Sequence, residues 1–445
     1  MKKYITKNAT RLIVLLLAAS PFLAKAQDEK ISYQRPSYWR PYDQKGINVF
    51  ETSKKEDSIK FDGLRVRFGA DFTQGFQSLK HSNTADDKNG ANKLYALTSG
   101  FNTAMANLNM DVQLADGIRL NMVTYLSTRH HNEAWVKGGY LQFDKLPLKG
   151  KIWDDIMKVT TLKLGHMEIN YGDAHFRRSD GGNSIYNTFA ENYILDAFAT
   201  EIGGEVYVHK NGLFGMVGVT NGLIKGNVDS LAKTEQDQNG SKSASVYLKA
   251  GIDKNLSDKI RVRFAASYYH NGSSAGNTLY GGDRAGSNYF MVMEKAGTGV
   301  TYATNAFSGR INPGFSKKID AFQLNGLLKV GGLELFGTYE NGKGRSKIET
   351  DSRTIHQLAG DVIYRFGKTE NIFLGARYNT VKGELTGITN DVTVSRVAVS
   401  GGWFLTKNIL LKGEIVNQKY YHFPSSDYRN GGKFYGYVIQ AAVGF

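Results

Sequence analysis

The chain has 445 residues, of which 41% are hydrophobic and 22% charged, with 50 Gly, 25 Tyr, 24 Phe and no Cys. The absence of cysteine excludes a fold held by disulfides. The formal net charge of +15 points to anionic solutes or lipid as partners, because the export signal described next excludes nucleic acid.

The first 26 residues predict a secretory signal peptide. A basic start precedes a short apolar run over residues 12–19, and Ala24-Lys25-Ala26 forms a small-residue cleavage site. The run is too short for a membrane helix, which needs about 20 apolar residues. Its removal lowers the net charge from +15 to +10, because five cations and no acids leave with it. These cations are Lys2, Lys3, Lys7, Arg11 and Lys25.

Residues 27–60 lack clean alternation and contain the charged run Lys54-Lys55-Glu56-Asp57. We interpret them as an N-terminal extension that lies either in the periplasm or inside the lumen. The segment is too short for the plug domain of an energised transporter.

From residue 61 onward, apolar residues recur at every second position. One example is 64–73, where Leu64, Val66 and Phe68 alternate with polar residues, and 260–269 and 433–445 repeat the pattern. This period of two predicts β-strands with one apolar and one polar face. No later segment is apolar enough for a membrane helix, so an exported membrane protein of this sequence must be a closed barrel.

The predicted fold is all-β, a transmembrane antiparallel up-and-down barrel of about sixteen strands, with a range of about fourteen to eighteen. The connections alternate between short turns and long loops, which predicts periplasmic turns, extracellular loops and both termini at the turn rim. The strand candidates are 61–77, 94–114, 117–129, 134–144, 161–171, 200–209, 212–221, 244–253, 258–270, 319–330, 332–341, 353–366, 369–381, 391–405, 408–419 and 433–445.

Two features interrupt the alternation. Residues 151–160 include Trp153-Asp154-Asp155-Ile156-Met157, which predicts a single helical turn. The apolar phase shifts by one residue beside Gly165, which predicts a β-bulge there.

Three segments give the chain a resemblance to a known family. They are Trp39-Arg40-Pro41-Tyr42-Asp43-Gln44-Lys45-Gly46-Ile47-Asn48-Val49-Phe50, Gly172-Asp173-Ala174-His175-Phe176-Arg177-Arg178-Ser179-Asp180 and the terminal Phe445. The chain resembles the porin family of the Bacteroidetes outer membrane and is distantly similar to phosphate-selective porins. The resemblance implies passive diffusion of solutes and a homotrimer in the outer membrane of a Gram-negative bacterium. It also implies contact with outer-membrane lipid and lipopolysaccharide, and recognition of Phe445 by the barrel-insertion machinery. It carries over no ligand-contacting residues.

If the apolar faces meet lipid, the opposite faces line the lumen, with twelve cations against eight acids. This excess predicts a mild anion preference, unless opposed charges only brace the wall. The predicted pore-lining arginines are Arg65, Arg67, Arg119, Arg261, Arg263, Arg377 and Arg396, and the other five cations are Lys163, Lys249, Lys329, Arg365 and Lys412. The acids are Asp71, Asp111, Glu201, Glu205, Asp253, Glu334, Asp361 and Glu414.

The long connection 172–199 is placed to fold inward and narrow the lumen. His175, Arg177 and Arg178 would stand at this constriction and bind phosphate, sulfate or carboxylate through charge-assisted hydrogen bonds. In the alternative interpretation, Asp173, Asp180 and Glu191 neutralise them in a structural network.

The remaining motifs are weak, and we expect no enzyme activity, metal or cofactor. Gly272-Ser273-Ser274-Ala275-Gly276 matches the G-x-S-x-G pattern, but the sequence after it predicts no helix. His130-His131 has no third metal ligand nearby. We therefore expect a porin for small polar solutes with mild anion preference. The alternatives are a barrel with an occluded lumen, acting as an adhesin or structural protein through loops 222–243 and 271–318, and an outer-membrane enzyme.

Overall fold

The computed structural model describes residues 36, 38–51, 59–127, 133–223, 225, 228–231, 233–281, 286–301 and 307–445. The predicted signal peptide, 1–26, lies outside the described residues. The chain divides into two units: residues 40–54 with 60–445, and a small unit of residues 1–39 with 55–59. In the small unit, the Trp39 backbone N–H donates to the Pro36 carbonyl over 3.1 Å.

Within its described residues, the larger unit contains seventeen strands, of which one has only two residues. The strands are β1 (Arg65–Ser82), β2 (Gly100–Phe101), β3 (Met105–Ala115), β4 (Ile118–Ser127), β5 (Glu133–Phe143), β6 (Thr160–Glu168), β7 (Thr200–Lys210), β8 (Leu213–Thr220), β9 (Ser245–Ser257), β10 (Ile260–Asn271), β11 (Lys318–Val330), β12 (Leu333–Arg345), β13 (Arg353–Phe366), β14 (Ile372–Gly383), β15 (Val392–Thr406), β16 (Ile409–Tyr421) and β17 (Lys433–Gly444).

The long strands pair antiparallel with their sequence neighbours, and β1 pairs with β17 to close the ring. Closure runs from Asp71 opposite Gly444 to Ser82 opposite Lys433. The two-residue β2 only extends the β1 edge at Phe76. The prediction of an antiparallel barrel with about sixteen strands is therefore confirmed. A closed ring leaves no unpaired edge, as hydrocarbon requires.

Strand β13 illustrates how apolar and polar side chains alternate between the outer and inner faces of the barrel wall. Leu358, Val362 and Tyr364 point outward and are exposed. Asp361 and Arg365 belong to the alternating set of positions that point inward, and they are buried. An outward apolar face is stable only where lipid replaces water, and the inward charges are stable only where they are paired.

Most strand connections are short at one rim and long at the other, as the sequence predicts, but the β5–β6 connection at the short-turn rim spans residues 144–159. Asn211-Gly212 between β7 and β8 shows why the turns need these residue types, since both have positive φ, 54° and 79°. Only glycine and asparagine adopt that region at low cost.

The predicted helical turn is present as α1 (Lys151–Met157), in the β5–β6 connection. Shorter 3-10 turns occupy Gln44–Gly46, Lys88–Gly90 and Ala174–Arg177. Within the described part of the chain, no helix combines the length and apolar character needed to cross a membrane.

The predicted β-bulge at Gly165 is wrong. Strand β6 pairs with β7 without a register shift from Thr160 to Glu168, and the irregularity lies between Val123 and Thr124 instead. The apolar phase changes because Met167 and Ile169 are buried on the inward side, where a long connection packs.

Candidate functional site: the barrel lumen

The long connection of residues 172–199, here called the inner loop, crosses the lumen. It leaves β6, yet the backbone N–H of Ala190 donates to Glu414 on β16 over 2.9 Å. The N–H of Ile194 likewise donates to Asn379 on β14 over 2.6 Å. The inner loop is therefore fixed to the wall opposite the strand from which it starts.

A single lysine of the wall stabilises the irregular backbone of this loop. The Lys412 ammonium donates to the carbonyls of Ser184, Asn187 and Phe189 over 2.8, 2.7 and 2.9 Å. Buried carbonyls outside helices and strands need such donors, because water cannot reach them. Lys412 thus replaces the hydrogen bonds that a regular strand would supply.

His175 lies in the inner loop beside the end of β6. Its ring nitrogens contact Glu168 at 2.6 Å and Asn170 at 3.0 Å. Burial lowers the pKa of His175, although the neighbouring Glu168 carboxylate opposes this effect. His175 is therefore held between two polar partners within the interior.

The two arginines of the predicted constriction are buried in ion pairs. Arg177 contacts Glu334 on β12 at 2.7 Å, and Arg178 contacts Asp196 of the inner loop at 2.6 Å. The Arg178 guanidinium also lies 4.1 Å from the centre of the Phe198 ring. These contacts attach the loop to the wall and to itself.

The acids that sequence analysis assigned to these arginines have mostly other partners. Asp180 lies 3.6 Å from Arg178, whereas Asp173 pairs with Arg263 at 2.7 Å. Glu191 accepts the backbone N–H of Tyr289 over 3.0 Å, and burial raises its pKa. The network of the alternative interpretation thus exists in outline, but the carboxylates of Glu334 and Asp196 carry most of it.

A small cavity lies between the inner loop and β12–β14. Three guanidinium groups border it, and each is paired with a carboxylate. The lining residues are Ala174, Arg177, Arg178, Asn187, Asn192, Tyr193, Asp196, Phe336 and Arg377.

Residues 40–51 form a second element inside the barrel, here called the N-terminal strap. The Tyr42 hydroxyl donates to Asp111 on β3 over 2.7 Å, and the Asn48 amide donates to Glu334 on β12 over 2.9 Å. The Arg40 guanidinium donates to the carbonyl of Phe176 in the inner loop over 2.7 Å. The strap therefore extends from β3 to β12 and contacts the inner loop on the way.

The strap ends in a buried cluster of four charges. Glu51 contacts Lys249 at 2.9 Å and Arg263 at 2.8 Å. Asp173 of the inner loop contacts the same two cations at 2.6 and 2.7 Å. Burial acts to raise the pKa of Glu51, but the two cations outweigh it and hold that pKa well below its usual value. One cluster thus joins strap, inner loop and wall.

The seven predicted pore-lining arginines occupy inward positions of their strands, but most are committed to protein partners. Arg377 pairs with Asp361 at 2.7 Å, and Arg396 donates to Gln418 over 2.7 Å. Arg119 donates to Gln142 over 2.7 Å. Arg263 belongs to the four-charge cluster, and the remaining three, Arg65, Arg67 and Arg261, lie near the periplasmic ends of their strands and are partly exposed.

Sequence reasoning missed Lys137, Asn48 and Glu51. The register shift beside Val123 turns Lys137 inward, where it pairs with Asp180, and alternation alone assigns it no such role. Asn48 and Glu51 lie outside any periodic segment, so the sequence carried no signal for their partners. In the part of the chain that the structure describes, no three His, Cys, Asp or Glu side chains are placed to hold a metal.

These features define the class of protein: an outer-membrane β-barrel of a Gram-negative bacterium, with the architecture of porins. No protein-family model and no curated protein matches the chain. Among solved structures, the anion-selective porin of Comamonas acidovorans has a TM-score of 0.51 at 10% identity, covering 86% of this chain and 100% of its own. The outer-membrane channel DcaP of Acinetobacter baumannii gives 0.48 at 10% identity, covering 87% and 99%. At such low identity the similarity is one of fold.

Proposed function

We propose that this barrel is a porin through which small polar solutes diffuse passively, with a mild preference for anions. The observation that carries the proposal is the polar, charged inward face of a closed sixteen-strand barrel. Most of these charges are paired within the protein, and the partly exposed ones, such as Arg67 and Lys163, are those available to a solute.

Reconstitution into planar bilayers tests the proposal directly. Purified mature protein should produce stepwise increases in current, with a reversal potential in a salt gradient that favours anions. Denatured protein in the same detergent is the control. A correctly folded barrel that stays electrically silent would contradict the proposal.

A second candidate, the barrel with an occluded lumen, is favoured by one observation. From β8 to β17, inward side chains away from the strand ends are buried, because the inner loop and the residues after β10 pack against them. Liposome swelling with small sugars separates the two functions. Swelling supports a porin, and its absence supports a barrel whose long loops bind a partner.

Several details of the proposal stay predictions. His175, Arg177 and Arg178 as solute-binding residues are one of these, and their ion pairs suit a role in holding the inner loop. A second prediction is that the extension 27–60 lies in the lumen, and the contacts of the strap support it. The homotrimer, the contacts with lipopolysaccharide, the membership of the Bacteroidetes family and the recognition of Phe445 during insertion are the others.

A further inference from the structure

The exposure of inward side chains differs sharply between two sectors of the barrel. In β8 to β17, every inward side chain other than glycine is buried away from the strand ends. In β4 to β6, Asn121, Val123, Tyr140 and Lys163 are partly exposed although they lie within the strands. Water therefore reaches the interior wall along β4–β6.

The same sector has gaps in its lining. Gly138 lies opposite Val123, and Gly165 pairs on one side with Tyr140 and on the other with Gly203. Three inward positions on three neighbouring strands thus have no side chain.

The inner loop is partly exposed where it leaves the end of β6. Ala174, His175 and Phe176 are partly exposed, whereas residues 184–195 are buried throughout. His175 is tied to Glu168 at the end of β6, which fixes this part of the loop beside the β4–β6 wall. The loop therefore starts beside the β4–β6 wall, before Ala174 and Phe176 pack against the apolar cluster that contains Phe50 and Phe336.

Cations in this sector differ from those elsewhere in how tightly they are paired. The Lys163 side chain is 19% exposed, and its ammonium lies 4.0 Å from Glu205 and 3.3 Å from the Tyr207 hydroxyl. In contrast, Lys249 is fully buried and contacts Asp173 at 2.6 Å. A hydrated, loosely paired ammonium can attract a passing anion, while a buried tight pair would first have to break.

Lys163 also has cationic neighbours at the same level. Across β4–β6, Arg119 lies opposite Gln142, which lies opposite Lys163. Arg67 on β1 is 14% exposed and lies 3.9 Å from Asp111, longer than the 2.6–2.7 Å pairs of the inner loop. Lys163 and Arg67 are partly exposed in the periplasmic half of this sector, whereas Arg119 is buried and donates to Gln142 over 2.7 Å.

We propose that solutes pass along an off-centre path beside the inward face of β4–β6. On this path, the partly exposed Lys163, with Arg67, selects small anions of the carboxylate or phosphate type. The buried arginines of the inner loop and of β10–β15 hold the structure and do not select. This inference rests on the proposed porin function.

Labelling of introduced cysteines tests the path, and the cysteine-free chain gives no background. Val123→Cys and Ser400→Cys are matched variants, because both replace a small inward side chain; Ser400 is 2% exposed, on β15. The anionic reagent sulfonatoethyl methanethiosulfonate should reduce the current of the Val123→Cys channel and leave that of Ser400→Cys unchanged. Equal reaction at both, or reaction at Ser400→Cys alone, overturns the path.

Charge removal tests the selectivity. Lys163→Gln should lower the anion-to-cation permeability ratio roughly twofold, the effect of one charge about 8 Å from a hydrated ion. Lys329→Gln is the control, because Lys329 on β11 is a partly exposed lysine of the periplasmic rim that is tightly paired with Glu370 at 2.7 Å. An equal shift in both variants, or none in Lys163→Gln, overturns the assignment. A silent wild-type channel would instead contradict the porin function itself.

Discussion

Glu51 illustrates how much one side chain contributes to the interior. Its carboxylate forms ion pairs with Lys249 and Arg263, and the Asn170 side-chain amide also donates to it over 3.2 Å. Removing one member of a buried ion cluster leaves an uncompensated charge. The docking of the strap therefore depends strongly on this residue.

Glu51→Gln should weaken docking of the strap by about 3 kcal/mol, because it leaves two buried cations facing one carboxylate fewer. Thermolysin should then cleave within residues 40–51 of the folded variant much faster than in the wild type. Lys45→Gln, at an exposed position of the same strap, is the control and should leave the rate unchanged. Equal cleavage of the wild type and Glu51→Gln would contradict the role of the cluster.

The cluster also predicts a response to acid. Burial acts to raise the pKa of Glu51 and Asp173, but Lys249 and Arg263 lower both below the usual carboxyl value. A lowered folded-state pKa adds stability that is complete above the unfolded value, about 4, and is lost as the pH falls through the folded value. Hydrogen exchange of the strap amides, corrected for the intrinsic rate, should be constant from about pH 8 to 5 and increase only below about pH 4. An increase near pH 6 would contradict this assignment.

Among the elements, the strands were predictable from the sequence and the inner loop was predictable only in its position. Alternation is a local property, so the phase of Leu358, Val362 and Tyr364 could be read directly. The partner of Arg177 could not, because Glu334 is more than a hundred residues away and no local pattern links the two. Asp196, the partner of Arg178, lies within the same irregular connection, where no periodicity fixes which side chains meet. For the same reason Met167 and Ile169 suggested a bulge, when they face apolar packing inside the barrel.

The strap is the element whose removal should change transport most. Replacing residues 40–51 with a Gly/Ser linker removes the contacts with Asp111 and Glu334 and widens the periplasmic half of the lumen. Single-channel conductance should increase, since the strap occupies cross-section that ions would otherwise use. Lys45→Gln again serves as the control. Unchanged conductance with the barrel intact would show that the strap lies away from the conducting path.

For the whole molecule, the sequence predicted the class of barrel but not how full its interior is. The predicted anion preference assumed that every inward cation is available to a solute. Most of these cations instead hold the inner loop and the strap in place. Arg396 and Lys412, for example, donate to backbone carbonyls of the inner loop. The net charge of the lining therefore overstates the positive charge that a solute would contact. The exposure of each charged side chain is a better guide to that charge.

The pairing of β1 with β17 has a consequence for biogenesis. The first strand gains its second neighbour only from the last one, and Phe445 exchanges two backbone hydrogen bonds with Ala70 at 3.0 and 3.1 Å. The barrel therefore cannot close until β17 is available to pair with β1. Until then, two unpaired strand edges would be open to pairing with other chains.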